Sequence, residues 1–329
     1  MKKLNATIVA GALFACSLHG IADQALNRAV TDGARAKLIL RVVDQDGKPV
    51  PDARVICGFW RNHSDGGFLE LDLTTDRDGL CTAAGKCTGR FNWQVTKEGY
   101  YRSLGKWELA QTKANPRVSG GKWRPYGATH TIVLKQIRNP CRLTAYPRES
   151  REMKIPVFDA WVGFDLETCD WVGPYGKGKE ADVNLRFSSR TTKRFVDYKH
   201  VMEVCFTNHP YGGAYIVDAD ANSDLKSPYE ADTNATFVQR FVFRQEKKSA
   251  NSPPRQDYPT NGTYLVYRTR TVVDEDGNLK LGHYGKIQGP WLSGEKVMIL
   301  DDGCFNPVPN DPSIEDGRHL RMTLRDYGR

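Results

Sequence analysis

The sequence predicts an all-β protein of two domains, each built from antiparallel strands. Short apolar runs alternate with polar residues along most of the chain, as strands with one buried face do. Clusters of Gly, Pro, Asn and Asp separate these runs, and regular helical periodicity is absent. A length of 329 residues is more than one small β-sandwich needs, so we expect two domains.

The first 22 residues have the pattern of a signal peptide. Lys2 and Lys3 precede an apolar run that is too short to span a membrane, and the small residues Gly20 and Ala22 stand where signal peptidase cleaves. The alternative is a lipoprotein signal, in which Cys16 would carry a lipid anchor. Both interpretations predict an exported protein that is secreted, periplasmic or at the cell surface, with no transmembrane span.

The elements of the first domain follow from its turns. Residues 23–37 are polar with weak helical periodicity, so we expect a leader that links the signal to the fold. A β-hairpin follows, with strands over residues 38–43 and 53–60. The alternating leucines of residues 69–73 lie on one face of a third strand. After the turn TTDRDG come the strand FNWQV and a last strand over residues 129–137.

The motifs DGKPVPDARV, TTDRDG and KEGYY resemble those of the carboxypeptidase regulatory-like domains over residues 38–136. The resemblance implies a Greek-key, transthyretin-like β-sandwich, and we place this domain at residues 38–138. It also implies a non-catalytic module that contributes stability or contacts surfaces and partners. Two insertions, RNHSDGG and QTKANPRVSGGKWRPYG, depart from the family pattern.

Residues 139–329 form the second predicted domain, which we assign to no family. Residues 249–262 predict a long loop, and residues 274–278 predict a hairpin turn. Seven candidate strands bounded by turn residues predict an antiparallel β-sandwich or a jelly roll. In chain order these strands are VFDAWVGFDL, ADVNLRFSS, FVDYKHVMEVCF, ATFVQRFVFR, TYLVYRTRTVV, LKLGHYGKI and EKVMIL.

The cysteines predict disulfide bonds. An odd number in an oxidising compartment suggests up to three bridges and one buried thiol, and the absence of a Cys-x-x-Cys pair argues against zinc. Cys81 and Cys87 are spaced to close a hairpin-sized loop, and Cys57 is the candidate for the unpaired thiol. The seven cysteines after the signal are Cys57, Cys81, Cys87, Cys141, Cys169, Cys205 and Cys304.

Positive charge is concentrated in the first domain. Residues 23–138 have a net charge of +7, whereas residues 139–329 have a net charge of −1. This distribution favours an anionic partner, such as an acidic glycan or another cell-envelope polymer. Nucleic acid is not expected, because an exported protein seldom meets it. The alternative is a surface on which lysine and arginine only promote solubility.

Basic and aromatic residues cluster around the second insertion, and they form the candidate ligand-binding surface. Basic side chains neutralise an anionic polymer, and exposed indole rings stack on sugar rings. In the alternative, the tryptophans close the edge of the sandwich and the charges only solubilise the loop. The candidate residues are Trp107, Lys113, Arg117, Lys122, Trp123, Arg124 and Tyr126.

Asp165 and Glu167 are the candidate catalytic residues. Two apart on a predicted strand, they share a face at a separation of about 7 Å, which suits the acid–base pair of a glycoside hydrolase. Trp161, Trp171 and Tyr175 could stack on the sugar. The simpler interpretation is an exposed acidic pair beside aromatic residues of the core.

Two motifs bear on metal binding. His200 and Glu203 have the spacing of a zinc carboxypeptidase, but residues three apart on a strand point to opposite faces, so we reject zinc. Four oxygen-bearing residues have the spacing of the first half of an EF-hand loop, so a structural calcium ion is the one cofactor that the sequence suggests. A solvated acidic loop is the alternative. These residues are Asp218, Asp220, Asn222 and Asp224.

These observations predict an exported, non-catalytic binding or scaffolding protein. Its expected partner is a glycan, a cell-envelope polymer or another protein. The alternative is a secreted carbohydrate-active enzyme whose site lies in the second domain, near Asp165 and Glu167.

Overall fold

A computed structural model describes most of the chain after residue 23. The described residues are 24–62, 64, 66–138, 140, 143–145, 152–206, 210–257, 262–289, 292–293, 297–299 and 301–316. The predicted signal peptide, which includes Cys16, and Cys141 lie outside them. The chain divides into two units, of which the first comprises Met1–Ile137 with Asn222–Asp224, and the second comprises Arg138–Ala221 with Leu225–Arg329.

The described residues of the first unit form nine strands in two sheets. In chain order they are β1 (Ala34–Asp44), β2 (Arg54–Trp60), β3 (Phe68–Thr74), β4 (Leu80–Cys87), β5 (Arg90–Thr96), β6 (Ser103–Glu108), β7 (Val118–Ser119), β8 (Lys122–Trp123) and β9 (Ala128–Leu134). One sheet has the order β4-β1-β8-β7, with β9 also paired with β1, and the other has the order β3-β2-β5-β6. The strand β1 is antiparallel to β4 and parallel to β8 and β9.

The two sheets of the first unit enclose one hydrophobic core. Alternate residues of β1, such as Leu38, Leu40 and Val42, are buried, and they meet Val55 and Phe59 from β2. The leucines of β3 face the same core, as their alternation predicts. The unit is therefore a β-sandwich that is stabilised by apolar side chains from both sheets.

The leader prediction for residues 23–37 is wrong. Residues 24–32 form an α-helix, and β1 begins at Ala34 instead of Leu38. Ala29 is buried in the core, and Leu26 packs against it. The helix was hard to recognise because few of its residues are apolar, and tertiary packing stabilises such a short helix more than its own propensity does.

The second unit contains fourteen strands within the described residues. They are β10 (Thr144–Ala145), β11 (Glu152–Lys154), β12 (Trp161–Asp165), β13 (Asp170–Trp171), β14 (Val183–Lys193), β15 (Asp197–Cys205), β16 (Gly213–Asp218), β17 (Arg240–Lys247), β18 (Arg255–Asp257), β19 (Thr263–Val273), β20 (Leu279–Gln288), β21 (Leu292–Ser293), β22 (Val297–Ile299) and β23 (Asp301–Phe305). They form sheets with the orders β13-β12-β14-β15-β17-β18, β10-β23-β20-β19-β16 and β11-β22-β21.

Apolar side chains from the six-stranded and five-stranded sheets form one core in the second unit. Phe164 and Phe187 come from the first of these sheets, and Leu265, Ile287 and Phe305 come from the second. Every pairing between the described strands of the second unit is antiparallel. The protein thus has the predicted all-β fold. In the described part of the chain, no helix is long and apolar enough to cross a membrane.

The predicted bridge between Cys81 and Cys87 does not form. Both residues lie on β4. Cys81 pairs with Leu40 and Cys87 pairs with Ala34, near opposite ends of the pairing between β1 and β4. Six residue steps along an extended strand separate their Cα atoms by about 20 Å, which is far beyond the reach of a disulfide. Together with Cys57, they are free thiols.

Candidate functional site

The insertion between β6 and β9 is anchored in the first unit by main-chain and indole contacts. Its short hairpin pairs Val118 with Trp123, and the Trp123 indole Nε1 donates to the carbonyl oxygen of Cys87 at 2.8 Å. The amide of Arg124 donates to the carbonyl oxygen of Arg117 at 2.8 Å. Trp123 is only 1% exposed, so it anchors the loop. Its predicted role as a sugar-stacking ring is wrong.

Trp107 is also engaged inside the first unit. Its ring stacks on that of His130, with centroids 5.2 Å apart and planes 29° apart, and the side chain packs against the core. Burial lowers the pKa of His130, so the ring between Trp107 and Trp93 favours its neutral form. Trp107 therefore closes the edge of the sandwich, which is the alternative that the sequence left open.

Two basic residues of the insertion, Lys113 and Arg117, line a cavity of about 310 Å³. We call this cavity the basic pocket. Its volume lies at the lower end of the range for small-ligand sites. Its walls contain two cationic side chains, two other polar side chains and no carboxylate. The lining residues are Leu26, Thr112, Lys113, Ala114, Asn115, Pro116 and Arg117.

The cations of the basic pocket have no acidic partner among the described residues. Lys113 and Arg117 are exposed, and no carboxylate there lies within 4 Å of either. Lys122 lies over the ring of Tyr126, with Nζ 4.9 Å from the centroid, and its strand pairs with Arg35. The pocket therefore presents positive charge that internal ion pairs do not neutralise.

Sequence reasoning found the two cations of this pocket but not its walls. Leu26 belongs to the amino-terminal helix, and Thr112 is fixed because its hydroxyl donates to the carbonyl oxygen of Arg124 at 3.1 Å. Most of the sequence of the first unit lies between Leu26 and residues 112–117. No local pattern could have placed them together, because their proximity depends on the tertiary fold.

The predicted catalytic carboxylates of the second unit belong to an ion-pair network in which the aspartates are buried and the side chain of Glu167 is 39% exposed. Arg270 lies between Asp165, Asp182 and Glu167. Its Nε donates to Asp182 Oδ1 at 2.8 Å and its Nη2 donates to Asp165 Oδ1 at 3.1 Å, while Nη1 donates to Glu167 Oε2. Asp165 is 1% exposed and Asp182 is fully buried. Neither of these two aspartates is presented to a substrate in solution.

A β-bulge places Arg270 in this network. The register between β19 and β20 shifts after Thr269, and Arg270 adopts a positive φ of 49°. Such a bulge adds a residue to one strand and turns a side chain towards the other face. The guanidinium also lies over Phe305, with Cζ 4.7 Å from the ring centroid. The sequence did not reveal this role, because Arg270 is one of two arginines in the strand and no local pattern distinguishes it from Arg268.

Hydrogen bonds keep Asp165 ionised. Burial by itself would raise the pKa of this carboxyl, but amides of Thr168, Lys179 and Glu180 donate to it and lower the pKa below its usual value. Asp182 differs, because burial raises its pKa more than Arg270 lowers it. A glycosidase needs an acid whose pKa is raised and whose proton reaches the substrate. Asp165 is buried and ion-paired with Arg270, so it does not meet this requirement for the acid.

The predicted calcium loop does not assemble. Asp224 accepts from Arg102 Nε at 3.0 Å and from Nη2 at 3.1 Å, so its charge is neutralised inside the first unit. The carbonyl oxygen of Asn222 accepts from the amide of Leu104, whereas Asp218 pairs with Thr263 in the second unit. Within the described residues, no three acidic, histidine or cysteine side chains are arranged to hold a metal ion.

Other predicted side chains are divided between core and surface. His200 is buried and bonded through Nδ1 to the Ser189 hydroxyl, whereas Glu203 lies on the opposite face of β15, where it pairs with Arg186. Trp171 is buried in the core of the second unit. Trp161 and Tyr175 are 45% and 48% exposed, so they alone of the three predicted aromatic rings can meet a sugar.

Comparisons with known proteins show few similarities. No protein-family model and no curated protein matches the chain. Over 32% of its length it is 14% identical to 3-chlorocatechol 1,2-dioxygenase from Rhodococcus opacus 1CP, with a TM-score of 0.24. The chain spans only 54% to 62% of the length of that enzyme and of the related dioxygenases that it matches.

Two further solved structures are similar over most of the chain. A DUF3823 family protein from Parabacteroides merdae is 10% identical, with a TM-score of 0.21 over 87% of this chain and 100% of its own. A mutant of the shaft pilin SpaA from Lactobacillus rhamnosus GG is 12% identical, with a TM-score of 0.23 over 82% of this chain and 94% of its own. These TM-scores are too low for any functional argument.

Proposed function

We propose that this chain is an exported, non-catalytic protein that binds acidic glycans of the cell envelope through the basic pocket. One observation carries the proposal, namely that Lys113 and Arg117 line a cavity whose walls contain no carboxylate. A guanidinium fork binds a carboxylate, sulfate or phosphate group through two parallel hydrogen bonds, and an ammonium adds a point charge. Thr112 and Asn115 provide the hydroxyl and amide groups that sugar hydroxyls require.

The charge distribution supports the same ligand class. The first domain has a net charge of +7, so its field attracts polyanions before any specific contact forms. The anchoring of the insertion by Trp123 also supports it, because a loop held at both ends loses less conformational entropy on binding.

The proposal is tested by measuring retention of the mature protein on polygalacturonate and on an uncharged galactan. We expect retention on polygalacturonate only. It should weaken steeply as salt rises from about 0.1 M to about 1 M, because the Debye length falls from roughly 10 Å to roughly 3 Å. Retention on a protein partner but on neither polysaccharide would contradict the proposal.

A double variant locates the binding in the pocket. Lys113→Ala with Arg117→Ala should weaken binding to polygalacturonate by about tenfold or more, which corresponds to about 1.4 kcal/mol. The control is Lys48→Ala with Arg77→Ala, which removes the same charge. Lys48 and Arg77 lie in turns near Asp44, where β1 ends. The basic pocket lies near Ala34, where β1 begins. Equal losses in the two double variants would indicate attraction by net charge without a pocket.

A further inference from the structure

The outer face of the six-stranded sheet in the second unit carries an exposed aromatic ring in a fixed orientation. Trp161 pairs across the strands with Arg186, whose Cζ lies 5.3 Å from the indole centroid. Arg186 Nη2 donates to both carboxylate oxygens of Glu203, at 2.7 and 2.8 Å. The carboxylate thus holds the guanidinium, and the guanidinium holds the indole, so the ring is ordered before a ligand arrives.

These residues form one row across four strands. Trp161 pairs with Arg186, Arg186 with Glu203, and Glu203 with Val242, which is also exposed. Neighbouring strands lie about 4.8 Å apart, so the row is about 14 Å long. Its length suits an extended chain of sugar rings better than a compact ligand.

Cations without ion pairs flank the row on the same face. Arg240 and Arg244 lie two residues to either side of Val242 along β17. Lys199 lies four residues before Glu203 along β15, so their side chains share a face. Among the described residues, none of these three cations has a carboxylate within 4 Å. All three are exposed. Three carboxylates lie on the same face, those of Glu203, Glu246 and Asp257, and each is within 4 Å of Arg186 or Arg255. The face therefore combines an apolar platform with cations whose charge is available to a ligand.

We propose that this face, called the Trp161 face, is a second binding surface for acidic polysaccharides. It comprises Trp161, Arg186, Lys199, Arg240, Val242 and Arg244. The apolar side of a sugar ring lies on the indole, and acidic groups of neighbouring sugars bind the guanidinium groups of Arg240 and Arg244. The ligand class rests on the proposed function, but the residues are different and are tested separately.

The chain provides a matched control on the first unit. Trp60 is 40% exposed, and Arg90 lies over its ring with Cζ 5.7 Å from the centroid. The neighbouring strand β3, however, carries Glu70 and Asp72 on the same outer face. Asp72 is paired with Arg54, but among the described residues no lysine or arginine lies within 4 Å of Glu70, whereas the carboxylates of the Trp161 face are ion-paired. An unneutralised carboxylate repels a polyanion, so Trp60 should not contribute to binding even though its local arrangement is similar.

The experiment measures affinity for polygalacturonate in the full mature chain that carries Lys113→Ala and Arg117→Ala. In this background, the remaining binding belongs to the Trp161 face. Adding Trp161→Ala should weaken it by at least tenfold, Arg240→Ser with Arg244→Ser should do the same, and Trp161→Phe should retain part of it. Trp60→Ala should leave it unchanged. The far-ultraviolet circular dichroism of each variant confirms that it is folded.

The outcomes separate the two surfaces. If the pocket variant has no remaining affinity, or if Trp161→Ala and the arginine variants leave that affinity unchanged, the Trp161 face is not a binding surface. If the pocket variant binds as tightly as the native chain but Trp161→Ala abolishes binding, the pocket proposal fails and the Trp161 face stands. Preference for single-stranded DNA over polygalacturonate at equal salt would overturn the assignment to glycans.

Discussion

Arg270 is the residue whose loss should affect the second unit most. Its guanidinium offsets two buried aspartates and Glu167, so its removal leaves carboxylates in a medium that solvates them poorly. Arg270→Met should lower the free energy of unfolding by about 3–5 kcal/mol. Arg190→Met is the control, because its ion pair with Asp197 is exposed, and it should cost less than about 1 kcal/mol. Urea unfolding followed by tryptophan fluorescence measures both.

Asp165 should make stability depend on acid pH. Its pKa is lower in the folded protein than in the unfolded chain, so the stability that it contributes is present above the unfolded pKa of about 3.9. That contribution is lost as the pH falls through the folded pKa. Asp165→Asn should therefore destabilise the protein more at pH 6 than at pH 3, as measured by urea unfolding. A constant difference would show that the carboxylate is not held in its charged form.

The thiols of the first unit should be unreactive in the native state. Burial raises the pKa of Cys57 to about 12 and that of Cys81 and Cys87 to about 11. A thiol reacts as its thiolate, of which very little exists at pH 8 at these pKa values. Labelling with iodoacetamide should be slow before unfolding and fast in urea, and mass spectrometry assigns each site. Rapid native labelling of Cys57 would contradict its burial.

At the scale of single elements, strands with clear alternation were predicted well. TYLVYRTRTVV corresponds to β19, and the leucines of β3 face the core as expected. The strand β16 was missed because its sequence runs into the acidic segment that was interpreted as a calcium loop. The bulge at Arg270 was also missed, because a change of register leaves no periodic signal in the sequence.

The turn between β3 and β4 depends on a glycine. Gly79 has a φ of +72°, and a Cβ there would lie 2.4 Å from the carbonyl oxygen of Val42. Gly79→Ala should therefore cost more than the roughly 1–2 kcal/mol of left-handed strain alone. Gly47→Ala is the matched control, since Gly47 has a φ of +78° and open space around it. Equal losses in thermal unfolding would show that the close contact is relieved without cost.

At the scale of the whole molecule, we expect binding without turnover. Asp165 and Glu167 both bond to Arg270, so the second unit does not offer them as a free acid and base. Incubation with polygalacturonate or galactan should release no reducing sugar. Glu167→Gln should leave affinity for polygalacturonate unchanged. Release that Glu167→Gln abolishes would instead support a carbohydrate-active enzyme.

The overall architecture was more predictable than the site. Composition and alternation are properties of short segments, and they were sufficient for the all-β class. The basic pocket joins Leu26 to residues 112–117, and the carboxylate network joins Asp165 to Arg270. Contacts of this kind depend on tertiary structure, so the sequence supplied their residue types but not their arrangement. Of the predicted tryptophans, only Trp161 is exposed enough to serve as a platform.

The pairing of β1 has a consequence for the kinetics of folding. This strand bonds to β4 on one side and to β9 on the other, so its second neighbour lies about ninety residues later in the chain. During synthesis β1 must wait, with one hydrogen-bonding edge unpaired, until β9 has emerged. Closure over so long a loop slows folding, and an unpaired edge can recruit another chain. Nascent chains that lack β9 should therefore be the species most prone to aggregate.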